Sequence, residues 1–107
     1  MLLCGLAYKA DTSDARETPT RAIVAGLLSM GAHVTLADPH LPLEQFPDGV
    51  TVVDDDPQAV EQAAASADAV VVLVPHGDFD LDAIVAAASW VLDCTSAAPA
   101  AANVERL

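Results

Sequence analysis

The chain has 107 residues and a mass of 11.0 kDa, enough for one domain with a single core but with little room for separate cofactor and substrate compartments. Hydrophobic residues make up 53% of the chain and aromatic residues only 4%, so the core must be aliphatic, a composition that favours layered α/β packing. The formal net charge of -12 would repel nucleic acid and anionic membrane surfaces, so neither is an expected partner.

Five short apolar runs are predicted to be buried parallel strands, because they are aliphatic and often β-branched. These runs are Leu2–Ala7, His33–Ala37, Thr51–Val53, Ala69–Val74 and Trp90–Leu92. Helical patterns alternate with them, which implies crossover connections and a sheet covered on both faces. We therefore predict an α/β, three-layer Rossmann-like domain with a parallel sheet of about five strands.

Three stretches between the runs repeat apolar residues at helical spacing, and they cover 19–31, 57–67 and 81–88. Thr18 suits the N-cap position of the first helix, with Pro19 at its first helical position and Gly31 as its stop. Asp80 or Asp78 is predicted to cap the third helix.

One domain is predicted to span residues 1–107. The stretch from 41 to 49 contains prolines and is expected to be a loop. Residues 97–102 consist almost entirely of Ala and Pro, so 97–107 could form a terminal tail.

In a parallel α/β sheet, function is expected where the strands end at their carboxyl edge. Polar or turn-forming residues follow four of the predicted strands: Tyr8-Lys9, Asp38-Pro39-His40, Pro75-His76-Gly77 and Asp93-Cys94-Thr95-Ser96. These turns should line one edge of the sheet.

The turn after the first strand lacks the Gly-x-Gly-x-x-Gly pattern that lets a backbone approach the pyrophosphate of NAD, and it also lacks a Gly-Lys-Ser/Thr phosphate loop. Asp38 stands where a dinucleotide-binding domain would hold a ribose. Without the glycine pattern we interpret Asp38 as a structural residue at a strand end.

Three of the four cationic side chains, Lys9, Arg16 and Arg21, cluster near the start of the chain. The cluster could be chance, could balance nearby acids, or could mark an anion site. Lys9 after a strand, Arg16 before a helix and the free N–H groups of that helix would suit a pyrophosphate. Tyr8 could offer a flat surface to a base or sugar, or could pack beneath the loop.

From Gly5 to Pro19 the chain reads Gly-Leu-Ala-Tyr-Lys-Ala-Asp-Thr-Ser-Asp-Ala-Arg-Glu-Thr-Pro. This stretch resembles the start of the C-terminal domain of the UDP-glucose/GDP-mannose dehydrogenases, which reads Gly-Leu-(Ala/Ser)-(Tyr/Phe)-Lys-x-(Asp/Asn)-Thr-x-Asp-x-Arg-Glu-(Ser/Thr)-Pro. Later, Gly31-Ala32-His33-Val34 leading to Asp38-Pro39, and Ala67-Asp68-Ala69, resemble turns of the same domain, so the likeness spans about residues 2 to 95.

The resemblance implies a nucleotide-sugar-binding domain of an NAD-dependent nucleotide-sugar 6-dehydrogenase, a cytoplasmic enzyme type that oxidises a sugar C6 alcohol to a carboxylate for polysaccharide biosynthesis. By position, Tyr8 and Lys9 are expected to contact UDP-sugar or another nucleotide-sugar, and Arg16 is expected to reach the phosphates of NAD. The family's NAD-binding motif and nucleophilic cysteine belong to other domains. The remaining dehydrogenase domains are therefore expected partners, and the isolated chain should be inactive with no catalytic residue of its own.

The chain departs from the family after the last predicted strand, where Thr95 stands near a position that often carries a substrate-binding Arg. This difference leaves open how tightly the chain binds substrate and which sugar it prefers. Cys4 and Cys94 match no catalytic position, and each stands in an apolar run, as small buried hydrophobic residues do. Reduced thiols in a cytoplasmic protein are expected.

Other classes of function fit less well. The three histidines and the Asp54-Asp55-Asp56 run match no metal-ligand spacing, so no metal is expected. A phosphoacceptor receiver domain would need its lysine and acids in another order relative to the strands. The alternative to a dehydrogenase domain is a stand-alone nucleotide-binding or interaction module.

Overall fold

The computed structural model describes residues 1–6, 20–54, 56–77 and 79–107. In chain order these residues form β1 (Leu2–Cys4), α1 (Thr20–Ser29), β2 (Thr35–Ala37), a 3-10 turn (Leu43–Gln45), β3 (Thr51–Val52), α2 (Pro57–Ser66), β4 (Val70–Val72), α3 (Leu81–Ala87), β5 (Val91–Asp93) and β6 (Val104–Arg106). Each of the five predicted apolar runs overlaps a strand. Four strands are shorter than their runs, and β5 is shifted by one residue, so that it begins after Trp90 and ends at Asp93. No helix in the described part of the chain has the length and apolar character needed to cross a membrane.

The strands form one sheet in the order β3-β2-β1-β4-β5-β6, and every neighbouring pair is parallel. Both strands next to β1 come later in the chain, so the order reverses at β1 and β4. Cys4 pairs with Ala37 of β2 and with Val72 of β4, which brings the ends of these three strands to one level. Parallel sheets with such a reversal have a crevice at the carboxyl edge beside it.

Side chains on the strands alternate between two apolar cores. Leu2 and Cys4 point to the same side as Val60 of α2 and Ile84 of α3. Leu3 points to the opposite side, where it joins the core that contains Val24 of α1. This alternation with a period of two buries β1 on both faces and confirms the predicted three-layer α/β architecture.

Local hydrogen bonds determine where the helices begin and end. Asp80 caps α3, because its Oδ1 accepts a hydrogen bond from the backbone N–H of Ala83 at 3.1 Å, as predicted. Asp56 caps α2 in the same way through the N–H of Gln58. Gly31 follows α1 with a φ of 83°, a left-handed conformation that suits glycine at the end of a helix. Thr18 and Pro19, predicted to begin α1, lie outside the described residues.

The C-terminal segment differs from the expected tail, and it raises the number of strands from about five to six. Val104 of β6 pairs with Val91 of β5, and Ala98 is only 2% exposed. The Asn103 Nδ2 group donates to the carbonyl oxygens of Val85 and Ala88 at 2.9 and 3.0 Å, which ties β6 to the end of α3. The strand was missed because it lies at an edge with little burial, so it has no apolar run.

Candidate functional site

The end of β1 passes very close to the end of β4. Gly5 has a φ of 105°, and its N–H donates to the carbonyl oxygen of Ala37 at 2.8 Å. A Cβ at position 5 would lie 2.5 Å from the Cβ and 2.7 Å from the backbone nitrogen of Val74. Only glycine therefore fits where the chain leaves the sheet toward the predicted nucleotide-sugar contacts.

The carboxylate of Asp38 joins the ends of three adjacent strands. Its Oδ2 accepts from the backbone N–H of Leu6 after β1 at 2.7 Å and lies 2.9 Å from the His76 Nε2 after β4. Its Oδ1 accepts from the backbone N–H of His40 at 2.9 Å. Because a carboxylate offers acceptors, we assign the proton to the His76 Nε2. Asp38 thus has the structural role expected of it, in a network that also reaches β4.

The pair formed by Asp38 and His76 is buried, with both side chains 0% exposed. The ring of His76 lies close to two other rings: its centroid is 4.5 Å from that of His40 and 5.7 Å from that of Phe79. The N–H of Phe79 also donates to the carbonyl oxygen of His76 at 3.1 Å. The turn after β4 is therefore held through both the backbone and the side chain of His76.

A small groove lies beside Asp38, on the side of α2 and α3. Its walls include apolar side chains such as Val60 and Ile84, while Asp54, Glu61 and Asp80 add three further carboxyl groups. Like charges repel, so this groove disfavours a phosphate. A bound diphosphate is expected nearer the segment after β1.

The described residues do not fit NAD. Both carboxylate oxygens of Asp38, the residue in the ribose-binding position of a dinucleotide-binding domain, already accept hydrogen bonds within the protein. The neighbouring groove is acidic, and the sequence after β1 lacks the glycine pattern for a pyrophosphate.

The buried carboxylate of Asp93 organises the turn after β5. Its Oδ1 accepts from the N–H and the hydroxyl of Thr95 at 2.8 and 2.6 Å, and its Oδ2 accepts from the N–H of Ala98 at 3.0 Å. Burial raises the pKa of Asp93, but hydrogen bonds from Thr95, Ala98 and Ser96 lower it, and the resulting pKa is below the ordinary aspartate value. Thr95, where the family often has Arg, therefore supports this turn through hydrogen bonds.

The residues predicted to bind ligand, Tyr8, Lys9 and Arg16, lie outside the described residues. The third cation of their cluster, Arg21, is described, and its Nη2 donates to the carbonyl oxygen of Gln45 at 2.7 Å. Nearby, the Thr20 hydroxyl donates to the carbonyl oxygen of Gly5 at 3.4 Å, which links the start of α1 to the end of β1.

The two cysteine thiols are unsuited to nucleophilic catalysis. Burial raises the pKa of the Cys4 thiol to about 12, so the thiol stays protonated at neutral pH. Cys94 was expected to be buried but is exposed, because it follows β5 at the start of a turn. Partial desolvation and the adjacent Asp93 carboxylate nevertheless raise the pKa of its thiol. Neither shift favours a thiolate at neutral pH.

The histidines are divided between the two edges of the sheet. His40 and His76 meet at the carboxyl edge, whereas His33 precedes β2 and its Nε2 lies 3.5 Å from the hydroxyl of Thr51. Within the described ranges, no group of three or more His, Cys, Asp or Glu side chains is arranged to hold a metal ion.

The sequence predicted that turns containing Asp38 and His76 would share one edge, but it did not predict that the two side chains would pair. The sequence indicated only that Asp38 and His76 each follow a strand. It left open whether these two strands lie on either side of β1. The strand order β2-β1-β4 in the structure shows that both strands are neighbours of β1.

A fully parallel sheet with this strand order, helices on both faces and a crevice at its carboxyl edge defines a Rossmann-like domain of the kind that binds nucleotides. Residues 2–99 match the family profile described as "UDP-glucose/GDP-mannose dehydrogenase family, UDP binding domain". The chain belongs to this family, as its sequence indicated.

Individual relatives agree with this assignment. The UDP-N-acetyl-D-mannosamine dehydrogenase of Methanococcus aeolicus is 32% identical over 75 residues, which cover 70% of this chain and 15% of that protein. The enzyme of the same name from Methanococcus maripaludis is 29% identical over 75 residues, covering 70% of this chain and 16% of the relative. The chain thus spans about one sixth of the length of these relatives.

A solved structure shares the fold over nearly the whole chain. The UDP-N-acetyl-mannosamine dehydrogenase Cap5O from S. aureus superimposes with a TM-score of 0.69 and 25% sequence identity. The superposition covers 98% of this chain and 24% of Cap5O. The similarity is therefore to one domain of a larger dehydrogenase.

Proposed function

We propose that this chain binds the UDP part of a UDP-sugar and serves as the nucleotide-sugar-binding domain of an NAD-dependent nucleotide-sugar 6-dehydrogenase. The observation that carries the proposal is the match of residues 2–99 to the UDP-binding domain of the family. The sheet supports it, because its strand order reverses next to β1, which leads into the segment that resembles the family.

In this proposal Tyr8 and Lys9 contact the nucleotide-sugar, and Arg16 reaches toward the phosphates of NAD held by another domain. The charge distribution favours this placement. The chain has 16 acidic residues against 4 Lys and Arg, and its described groove beside Asp38 is acidic. A diphosphate would therefore be attracted chiefly to the cluster that contains Lys9 and Arg16.

The oxidation itself requires the rest of the dehydrogenase. Turning a C6 alcohol into a carboxylate needs two hydride transfers to NAD and a nucleophilic cysteine. The described residues do not fit NAD, and the two thiols have raised pKa values. The domain therefore supplies one wall of the substrate site in a cytoplasmic enzyme that provides uronic acid units for polysaccharide biosynthesis.

Titration calorimetry with UDP and GDP tests the binding step. We expect weak binding of UDP to the wild-type chain, and Lys9→Ala should weaken it about tenfold or more because a charge-assisted hydrogen bond is lost. Arg106→Ala is the matched control, since it removes one cation from β6, where its Nη2 donates to the carbonyl oxygen of Ala98. Equal UDP affinities of the wild type and Lys9→Ala would refute the role of Lys9.

A spectrophotometric assay tests the requirement for other domains. The purified chain mixed with NAD and UDP-sugars should give no rise in NADH absorbance, because it has neither an NAD-binding glycine motif nor an activated cysteine. A clear turnover signal would contradict the proposed supporting role.

A further inference from the structure

The turn that leads out of β1 is held by the buried pair of Asp38 and His76, which follow the two neighbouring strands. Leu6 is the last described residue before the segment that contains Tyr8 and Lys9. Its side chain is 0% exposed, and its N–H donates to the Asp38 Oδ2 at 2.7 Å. The same oxygen lies 2.9 Å from the His76 Nε2.

We propose that Asp38 and His76 are positioning residues for nucleotide-sugar binding. Together they fix the backbone of Leu6 and so set the direction in which the chain leaves β1 toward Tyr8 and Lys9. This inference rests on the proposed function, because it assigns the pair a purpose only if that segment binds ligand.

A purely structural role would not require a buried pair of polar side chains at this place. Taking a carboxylate and an imidazole out of water costs free energy, and well-packed apolar side chains are often as stabilising or more so. Here the pair is fully buried beside Phe79 and next to the core residue Leu6. A carboxylate with donors on both oxygens does, however, link the three strand ends by directional hydrogen bonds, which apolar side chains cannot do.

The physical consequence is preorganisation. If His76 no longer donates to Asp38, the carboxylate loses one of its partners and holds the Leu6 N–H less firmly. Ligand binding must then also fix the backbone of Leu6, and the cost of fixing it lowers the affinity. Loss of the pair should therefore weaken UDP binding in the folded protein as well as reduce stability.

Two substitutions at one position separate the hydrogen bond from the ring. His76→Phe keeps an aromatic ring against His40 and Phe79 but removes the donor to Asp38. His76→Gln gives up the ring but retains an amide N–H that can reach Asp38. In calorimetry at a temperature where each variant is folded, we expect His76→Phe to bind UDP about tenfold more weakly than the wild type, and His76→Gln to stay within about threefold.

Asn103→Ala is the control for a general loss of stability. Asn103 donates to carbonyl oxygens at the end of α3, and it precedes β6, so it lies at the edge of the sheet opposite Asp38. Loss of the Asn103 side chain should lower the melting temperature and leave the UDP affinity unchanged. If lower stability alone weakened UDP binding, Asn103→Ala would weaken it too.

The outcomes distinguish this inference from the proposed function. If the wild-type chain does not bind UDP, both fail. If the wild type binds and folded His76→Phe binds equally well, the positioning role is overturned and the UDP-binding function stands. If His76→Phe does not fold, the isosteric Asp38→Asn replaces it, and an unchanged UDP affinity of that variant overturns the inference.

Discussion

Gly5 lets the chain after β1 pass close to the chain after β4. The sequence marks Gly5 as the first residue of the segment that resembles the family, but it gives no reason why a side chain is forbidden there. The reason is the chain just after β4, because the Cβ and backbone nitrogen of Val74 occupy the space that a Cβ at position 5 would need. The need for glycine at position 5 therefore comes from a residue far away in the sequence, although the glycine itself belongs to a local motif.

We expect Gly5→Ala to lower the free energy of unfolding by about 3 kcal/mol or more, since it combines a strained positive φ with overpacking. Gly26→Ala is the matched control. Gly26 lies inside α1 and a Cβ there would meet nothing within 4 Å, so the change should stabilise the protein by about 0.5–1 kcal/mol. Urea unfolding of the two variants checks both signs, and equal stabilities would show the steric argument to be wrong.

At the scale of elements, the alternation of strands and helices was predictable and β6 was not. Helices can be predicted from periodic apolar residues and from caps such as Asp80, because both signals are local in sequence. The edge strand β6 has only Val104 as an aliphatic residue, and it forms because β5 offers an unpaired edge. Its existence depends on pairing with β5, which the local residue pattern of 97–107 does not reveal, so composition suggested a tail.

The turn after β5 should make stability depend on pH. Hydrogen bonds lower the pKa of Asp93 in the folded state, so its ionised form stabilises the fold at pH values above the unfolded pKa of about 3.9, and this contribution is lost as the pH falls through the lower folded pKa.

Asp93→Asn should therefore cost about 1–3 kcal/mol near pH 7, because an amide nitrogen would face a backbone N–H, and the cost should shrink at about pH 3 and below. Urea unfolding at a series of pH values measures the difference. Asp48→Asn, at an exposed loop position, should change stability by less than about 0.5 kcal/mol throughout. A gap between Asp93→Asn and the wild type that does not depend on pH would contradict the role of ionisation.

At the scale of the whole molecule, the net charge of -12 opposes compaction. Added salt should raise the melting temperature, since the Debye length falls from about 10 Å at 0.1 M to about 3 Å at 1 M and repulsion between surface carboxylates is screened. Thermal unfolding in NaCl and in KCl should show the same rise if ionic strength is the cause. A fall in melting temperature with salt would mean that attractive ion pairs outweigh the repulsion.

The candidate site was predictable only in part. The resemblance assigns Tyr8, Lys9 and Arg16 from residue types at fixed spacing, and strand ends can be located from apolar runs. The contact between Asp38 and His76 could not be foreseen, because it joins positions 38 residues apart through a third strand that lies between them. Periodicity reports which face of an element is buried, but it does not report which elements become neighbours.

The amino-acid sequence by itself thus determined the α/β class, the positions of the main helices and strands, and the family. All three depend on local patterns: burial along each element, capping residues and a continuous motif. The tertiary structure decided the strand order, the sixth strand, the need for glycine at position 5 and the buried pair behind Leu6. These features depend on long-range packing, in which residues far apart in the chain compete for the same space and hydrogen bonds.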